Sequence, residues 1–137
     1  MKKIKVVAAV IVKNNKVLIG KRAKFEKSPG LWEFPGGKIE INESKVQCIE
    51  RELKEELDIN AVIGDLITEY EYNYTHTLYS LSFYYVNSFT GEIALNAHEE
   101  IKWVDPKDFG DFDFLPGEKP VLESVKNHFK YGASSLF

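Results

Sequence analysis

The sequence predicts a single α/β domain in which a mixed β-sheet lies between helices. Three observations predict it. Short runs of β-branched and aromatic residues recur from Ile4 to Val104, one helix-period segment interrupts them at residues 44–57, and a second amphipathic segment closes the chain at 116–130. A chain of 137 residues suits one domain spanning 1–137, and 44% hydrophobic with 28% charged residues is the balance of an ordinary globular protein. No repeat, linker or low-complexity stretch divides it.

Residues 4–12 and 16–22 read as two strands joined at Asn14 and Asn15, which tolerate left-handed backbone. Residues 24–30 form a polar loop. A short strand through Trp32 and Phe34 leads to Pro35, Gly36 and Gly37, where a sharp turn is expected before the helix. In that helix Val46, Ile49, Leu53 and Leu57 make an apolar stripe. Residues 61–74 and 78–87 alternate with enough Tyr, Ile and Phe to be strands. A turn at 88–91 precedes strands near Ile93 and at 101–104. Pro106 opens a short turn, and the final helix carries Val121, Leu122, Val125 and Phe129 inward. The tail YGASSLF is expected to be frayed or to form an oligomer contact.

The most informative stretch is GKIEINESKVQCIERELKEELDI, residues 37–59. At about 3.6 residues per turn, Glu52 and Glu56 stack as an i,i+4 pair with Glu55 beside them. Like charges so placed cost a helix roughly 0.2–0.5 kcal/mol per pair, and a cation is the natural reason to accept that cost. Carboxylates without cysteine or histidine neighbours suit a hard ion, magnesium or manganese, rather than zinc.

The spacing of Gly37, Glu43, Arg51, Glu52, Leu53, Glu55, Glu56 and Ile59 resembles the signature of the Nudix hydrolase family, G-x5-E-x7-R-E-U-x-E-E-x-G-U, with U a bulky aliphatic residue. One position departs: Asp58 stands where the pattern has glycine, and Asp can adopt the left-handed conformation required there. GLWEFPGGKIE at 30–40 and FLPGEKPVLESV at 114–125 resemble the MutT-like branch, whose members hydrolyse nucleoside triphosphates to a monophosphate and pyrophosphate. The resemblance implies a Nudix-type α/β/α sandwich and places the catalytic set at Glu52, Glu55, Glu56, Arg51 and Glu43.

Within that set, the resemblance implies Mg2+, or Mn2+, held by Glu52, Glu55, Glu56 and the Gly37 carbonyl. Glu52 would take a proton from the attacking water, and Arg51 would pair with Glu43 and orient the glutamates. Ala97 replaces a carboxylate that many relatives carry, which leaves Glu99 or Glu100, in the same acidic loop, to approach the metals. Arg22 matches a family arginine that reaches the phosphates. Phe34 and Tyr74 are expected to line a base slot capped by Leu115 and Pro116, with His76 at its rim, and Glu118 to select the base. A carboxylate there accepts equally well from the cytosine amino group or from guanine N1 and N2. Both 8-oxo-dGTP, in nucleotide-pool sanitation, and CTP or dCTP therefore remain open. A non-catalytic nucleotide-sensing module and a hydrolase of another nucleoside diphosphate derivative are the alternatives; the intact box glutamates speak against the first.

A net charge of −3 gives no electrostatic footprint for duplex nucleic acid. The single Cys48 excludes an internal disulfide and suits a packing role in a reducing cytoplasm. The apolar run 6–12 is too short and too β-branched for a secretory signal, and no segment reaches membrane-spanning length. The expected partner is a small nucleotide, with the protein a monomer or homodimer.

Overall fold

The computed structural model describes residues 2–132, and side chains through Lys130. The elements run β1 (Lys2–Lys13), β2 (Lys16–Arg22), β3 (Trp32–Glu33), β4 (Gly36–Lys38), α1 (Lys45–Leu57), β5 (Asn60–Tyr74), β6 (Thr77–Thr90), β7 (His98–Val104) and α2 (Lys119–Gly132). Two 3-10 segments, Pro106–Asp111 and Pro116–Glu118, fill the span between β7 and α2.

The sheet is mixed, in the order β3-β2-β1-β6-β5, with β4 also on β1 and β7 also on β2. β1 and β6 run parallel from Lys2↔Thr77 to Ile11↔Val86, whereas the other pairings are antiparallel. Because β1 is central it is buried on both faces, which is why residues 6–12 read as a continuous apolar run. Val7, Ala9 and Ile11 pack with Ile49, Leu53 and Leu57 of α1. Ala8 and Val10 face the opposite way, onto Phe34, Phe83, Phe109 and Phe114 and onto Val121 and Val125 of α2. Burial of each large side chain contributes about 1.5–3 kcal/mol, so the two helices are clamped to opposite faces of the sheet.

Local chemistry sets the ends of α1. The Ser44 hydroxyl accepts from the Gln47 amide at 3.0 Å and the Gln47 side chain accepts from the Ser44 amide at 2.9 Å, a complete capping box. Asp58 ends the helix at φ 57°, ψ 37°, and its amide donates to the Lys54 carbonyl. Its carboxylate also forms an exposed 2.9 Å ion pair with Lys54. Asn14 and Asn15 turn the β1–β2 hairpin with φ of 53° and 62°.

Four expectations are corrected. Gly36 and Gly37 do not turn the chain; they form β4 and pair with Ala8 and Val7 of β1. Glycine is needed there for close approach, since a Cβ on Gly36 would strike the Val7 carbonyl oxygen. No strand forms around Ile93. Its neighbours spend their amides on the open carbonyls at the end of α1, Ala94 on Leu57 at 2.9 Å and Asn96 on Glu56 at 3.1 Å. Val46 is 41% exposed and outside the apolar stripe, which Cys48, Ile49, Leu53 and Leu57 make instead. The last helix begins as a 3-10 turn at Pro116 and becomes α-helical only at Lys119. The tail expected to fray or make contacts lies outside the described residues from 133 onward. Among the described residues no helix is long and apolar enough to cross a membrane.

Candidate active site

On α1, Glu52, Glu55 and Glu56 project beside β4. The Glu52 side chain is 15% exposed and Glu55 59%. A Cβ on Gly37 would land on the Glu52 carboxylate, so glycine at this point of β4 lets the backbone and the acid meet. Glu56 is the most enclosed of the three. Burial first, then contact with Glu52 and the charge of Glu33, push its carboxyl up to about 9. Its Oε1 is buried without a hydrogen-bond partner. Two carboxylates crowded until one retains a proton form a site short of positive charge.

Among the described residues, no three His, Cys, Asp or Glu side chains close into a ready cage. The residues nevertheless suit a hard divalent ion. The three glutamates and the Gly37 carbonyl offer oxygen alone, one buried carboxylate oxygen lacks a partner, and magnesium needs only one or two carboxylates alongside water and substrate oxygens. Glu52, Glu55, Glu56 and the Gly37 carbonyl are the groups able to hold it.

Arg51 organises the base of this cluster. Its Nε and Nη2 donate to the two oxygens of Glu43 at 2.6 and 3.0 Å, and Nη1 donates to Glu52 at 2.8 Å and Glu55 at 3.3 Å. The Arg51 guanidinium, chiefly, holds the Glu43 carboxyl at about 2. Bidentate pairing of this kind fixes orientation as well as charge. Cys48 lies beneath, its Sγ 3.4 Å from the Lys38 carbonyl oxygen and 3.8 Å from that of Gly37. Burial, chiefly, pushes its thiol up to about 12, which leaves packing rather than nucleophilic chemistry.

A second cluster centres on Glu33, which sequence reasoning missed. Arg22, the last residue of β2, donates from Nη1 to Glu33 Oε1 at 2.7 Å and from Nε to the Lys27 carbonyl at 2.5 Å. The His98 Nε2 lies 3.0 Å from Glu33 Oε2. The only available signal was the position of Glu33 inside GLWEFPGGK, and that segment does not announce its partners.

Glu118 ends the second 3-10 segment and is buried, at 7% exposure. Trp32 fixes the chain entering this segment beside β3: its amide donates to the Asp113 carbonyl and its carbonyl accepts from the Leu115 amide. Glu118 Oε1 then accepts from the Phe34 amide at 3.0 Å, while Oε2 is buried without a partner. Burial, and next the charge of Glu33, raise its carboxyl well above the ordinary range. Tyr70 donates to the Gly117 carbonyl at 2.7 Å, and Tyr72 packs against Gly117. Sequence reasoning missed both tyrosines. Their alternation with Tyr74 along β5 was a signal for one shared face.

Other expected positions fall elsewhere. The Phe34 ring, 2% exposed, packs into the core against Phe83, Phe109 and Phe114, so only its backbone faces Glu118. Tyr74 is 52% exposed and stacks on Tyr72, with centroids 6.3 Å apart. Leu115 is half-buried at the start of the 3-10 segment, whereas His76 is exposed in the β5–β6 turn with φ of 63°. Glu99 and Glu100 lie in β7 rather than a flexible loop, because ladder pairing of β7 to β2 reaches back to His98. They sit 4.0 Å from Lys21 and 3.6 Å from Lys102 respectively.

The NUDIX domain family matches residues 2–125, and the chain belongs to that family of hydrolases. It is 35% identical over 124 residues to the CTP pyrophosphohydrolase of Escherichia coli, covering 90% of this chain and 92% of that one. It is 32% identical over 127 residues to the 8-oxo-dGTP diphosphatase of the same organism, covering 92% and 98%. The solution structure of the E. coli ORF135 protein superimposes with a TM-score of 0.85 at 34% identity, over 93% of this chain and 91% of that one.

Proposed function

We propose that this protein hydrolyses a nucleoside triphosphate to the nucleoside monophosphate and pyrophosphate, with Mg2+ as its metal and Mn2+ as a substitute. The observation that carries this reading is the short segment 33–37. It presents the Phe34 amide to Glu118 at one end and packs Gly37 against Glu52 at the other, so one rigid span serves both a base site and a phosphate site.

The ion, when bound, supplies positive charge to phosphate oxygens that otherwise repel a nucleophile. Glu52, Glu55, Glu56 and the Gly37 carbonyl would hold it. Glu52 takes the proton of the attacking water at its carboxylate, while Arg51 and Glu43 keep the glutamates in place. Arg22 binds phosphate oxygens, and bringing water and phosphorus together supplies a further part of the rate.

Glu118 Oε2 is positioned to meet hydrogen-bond donors on a base. Cytosine and 8-oxoguanine both offer such donors, and the relatives named for CTP and for 8-oxo-dGTP support each. Retention of all three box glutamates favours an enzyme over a sensing module. Turnover of CTP, dCTP, dGTP, 8-oxo-dGTP, a nucleotide sugar and a dinucleoside polyphosphate, with chromatographic product identification, tests the proposal. Release of pyrophosphate and monophosphate, abolished by chelator, is expected; orthophosphate as the primary product or full activity in chelator overturns it.

A further inference from the structure

We propose that Glu33 is a positioning residue: its carboxylate fixes the Arg22 guanidinium and the His98 ring so that the Nη2 end of Arg22 is left to take a phosphate oxygen. The proposal rests on the functional reading above and deepens it.

Both oxygens of Glu33 are committed, each to a different element. Oε1 takes Arg22 Nη1 from the end of β2 at 2.7 Å, and Oε2 faces His98 Nε2 from the start of β7 at 3.0 Å. Glu33 itself is anchored by the pairing of β3 with β2, Gly20↔Glu33 and Lys21↔Trp32. With the side chain 19% exposed and both oxygens engaged, it is placed to hold neighbours rather than to bind an ion.

The guanidinium has five donors in a rigid fork. Nε is pinned by the Lys27 carbonyl and Nη1 by Glu33, so two bonds on opposite sides of the group determine its plane. Nη2 is left with Glu26 at 3.8 Å, beyond hydrogen-bond reach and on a side chain 48% exposed. A phosphate oxygen can replace that exposed partner without disturbing the other two.

His98 braces the opposite oxygen. Its side chain is 3% exposed, and its ring lies so close over Gly20 that a Cβ there would collide with it. An imidazole without room to rotate makes a fixed stop for Glu33. The carboxylate also stands close enough to Glu56 and Glu118 for its charge to act on both.

The test is a double-mutant cycle on Glu33→Gln and Arg22→Ala, with folding followed by circular dichroism and melting temperature. Glu33→Gln keeps the shape and removes the charge. It is expected to raise KM for the best nucleoside triphosphate by roughly 5- to 10-fold with kcat changed less than about threefold, the scale of one charge-assisted hydrogen bond. In the Arg22→Ala background the same change is expected to raise KM by less than about twofold, since it acts through Arg22. An unchanged KM in folded Glu33→Gln, or equal losses with and without Arg22, overturns the proposal. Calorimetric titration with inorganic tripolyphosphate separates this from failure of the functional reading. A protein that turns over no nucleoside triphosphate refutes that reading, while loss of tripolyphosphate affinity in Glu33→Gln only when Arg22 is present still supports the clamp. Tripolyphosphate binding that ignores Glu33, or is absent in the unaltered protein, refutes the clamp itself.

Discussion

The amide of Phe34 donates to the carboxyl of Glu118 across 84 residues of chain, at 3.0 Å, in a buried setting. That bond uses one carboxyl oxygen and leaves the other to a ligand. Glu118→Ala is therefore expected to lower kcat/KM for the best nucleotide by at least roughly tenfold more than for poor ones, since a buried hydrogen-bond group discriminates by one or more kcal/mol. Kinetics across the nucleotide panel check this. Equal losses for every base would assign Glu118 to holding the 3-10 segment alone.

Glu52→Gln should leave the circular dichroism spectrum unchanged and lower kcat by roughly 10²- to 10⁴-fold, the usual worth of a positioned acid or base. Its neighbours explain the expected fold tolerance: the amide oxygen can still accept from Arg51 Nη1, now at 2.8 Å. Near-normal turnover in the folded variant would remove Glu52 from the chemistry.

The adjacent glycines of β4 should respond differently to one methyl group. In Gly36→Ala the new carbon meets the Val7 carbonyl and the backbone of Ala8, which cannot move without breaking the β1–β4 pairing. A fall in melting temperature is expected. In Gly37→Ala it meets only the carboxyl end of Glu52, which can swing away. Activity should fall by more than about tenfold with a much smaller change in melting temperature. The opposite ranking of the two melting temperatures would refute this division between packing and chemistry.

Acid stability should carry the mark of Glu43. Its carboxyl is held at about 2 by Arg51, below its ordinary value of 4.5. The native state therefore binds fewer protons than the unfolded chain in this interval. The stabilisation is fully present above pH 4.5 and is lost as pH falls towards 2. Glu43→Gln should lower stability at neutral pH and flatten the decline between those limits, as followed by denaturant unfolding at several pH values. A decline as steep as in the unaltered protein would mean that other carboxyls govern it.

How much of this was readable in the sequence depends on how local each feature is. The box glutamates and Asp58 all lie within a few turns of one helix, so the sequence could put them on that helix and at its end. The left-handed Asp58 was foreseeable because few residues adopt that backbone. Glu33 was not legible, since its meaning comes from Arg22 and His98 on two other strands. Phe34 misled for a related reason: an aromatic residue in a binding segment suggested a stacking surface, yet three phenylalanines from elsewhere claim its ring. Ile93 was read as a strand because an apolar run says nothing about which carbonyls need its neighbours' amides.

The parallel pairing of β1 with β6 sets a constraint on how the molecule is made. The strand at 2–11 is made well before its partner at 77–86, which follows only after β2, β4, α1 and β5 have been synthesised. Until then β1 lacks a partner on the edge that β6 will take, and the loop between the two must be closed before their contacts repay the entropy. Helix α1, by contrast, carries its own caps and can form while it waits. The carboxylates of α1 are thus on a segment able to organise early, whereas the strand that β4 and Gly37 rest upon reaches its final place late in assembly.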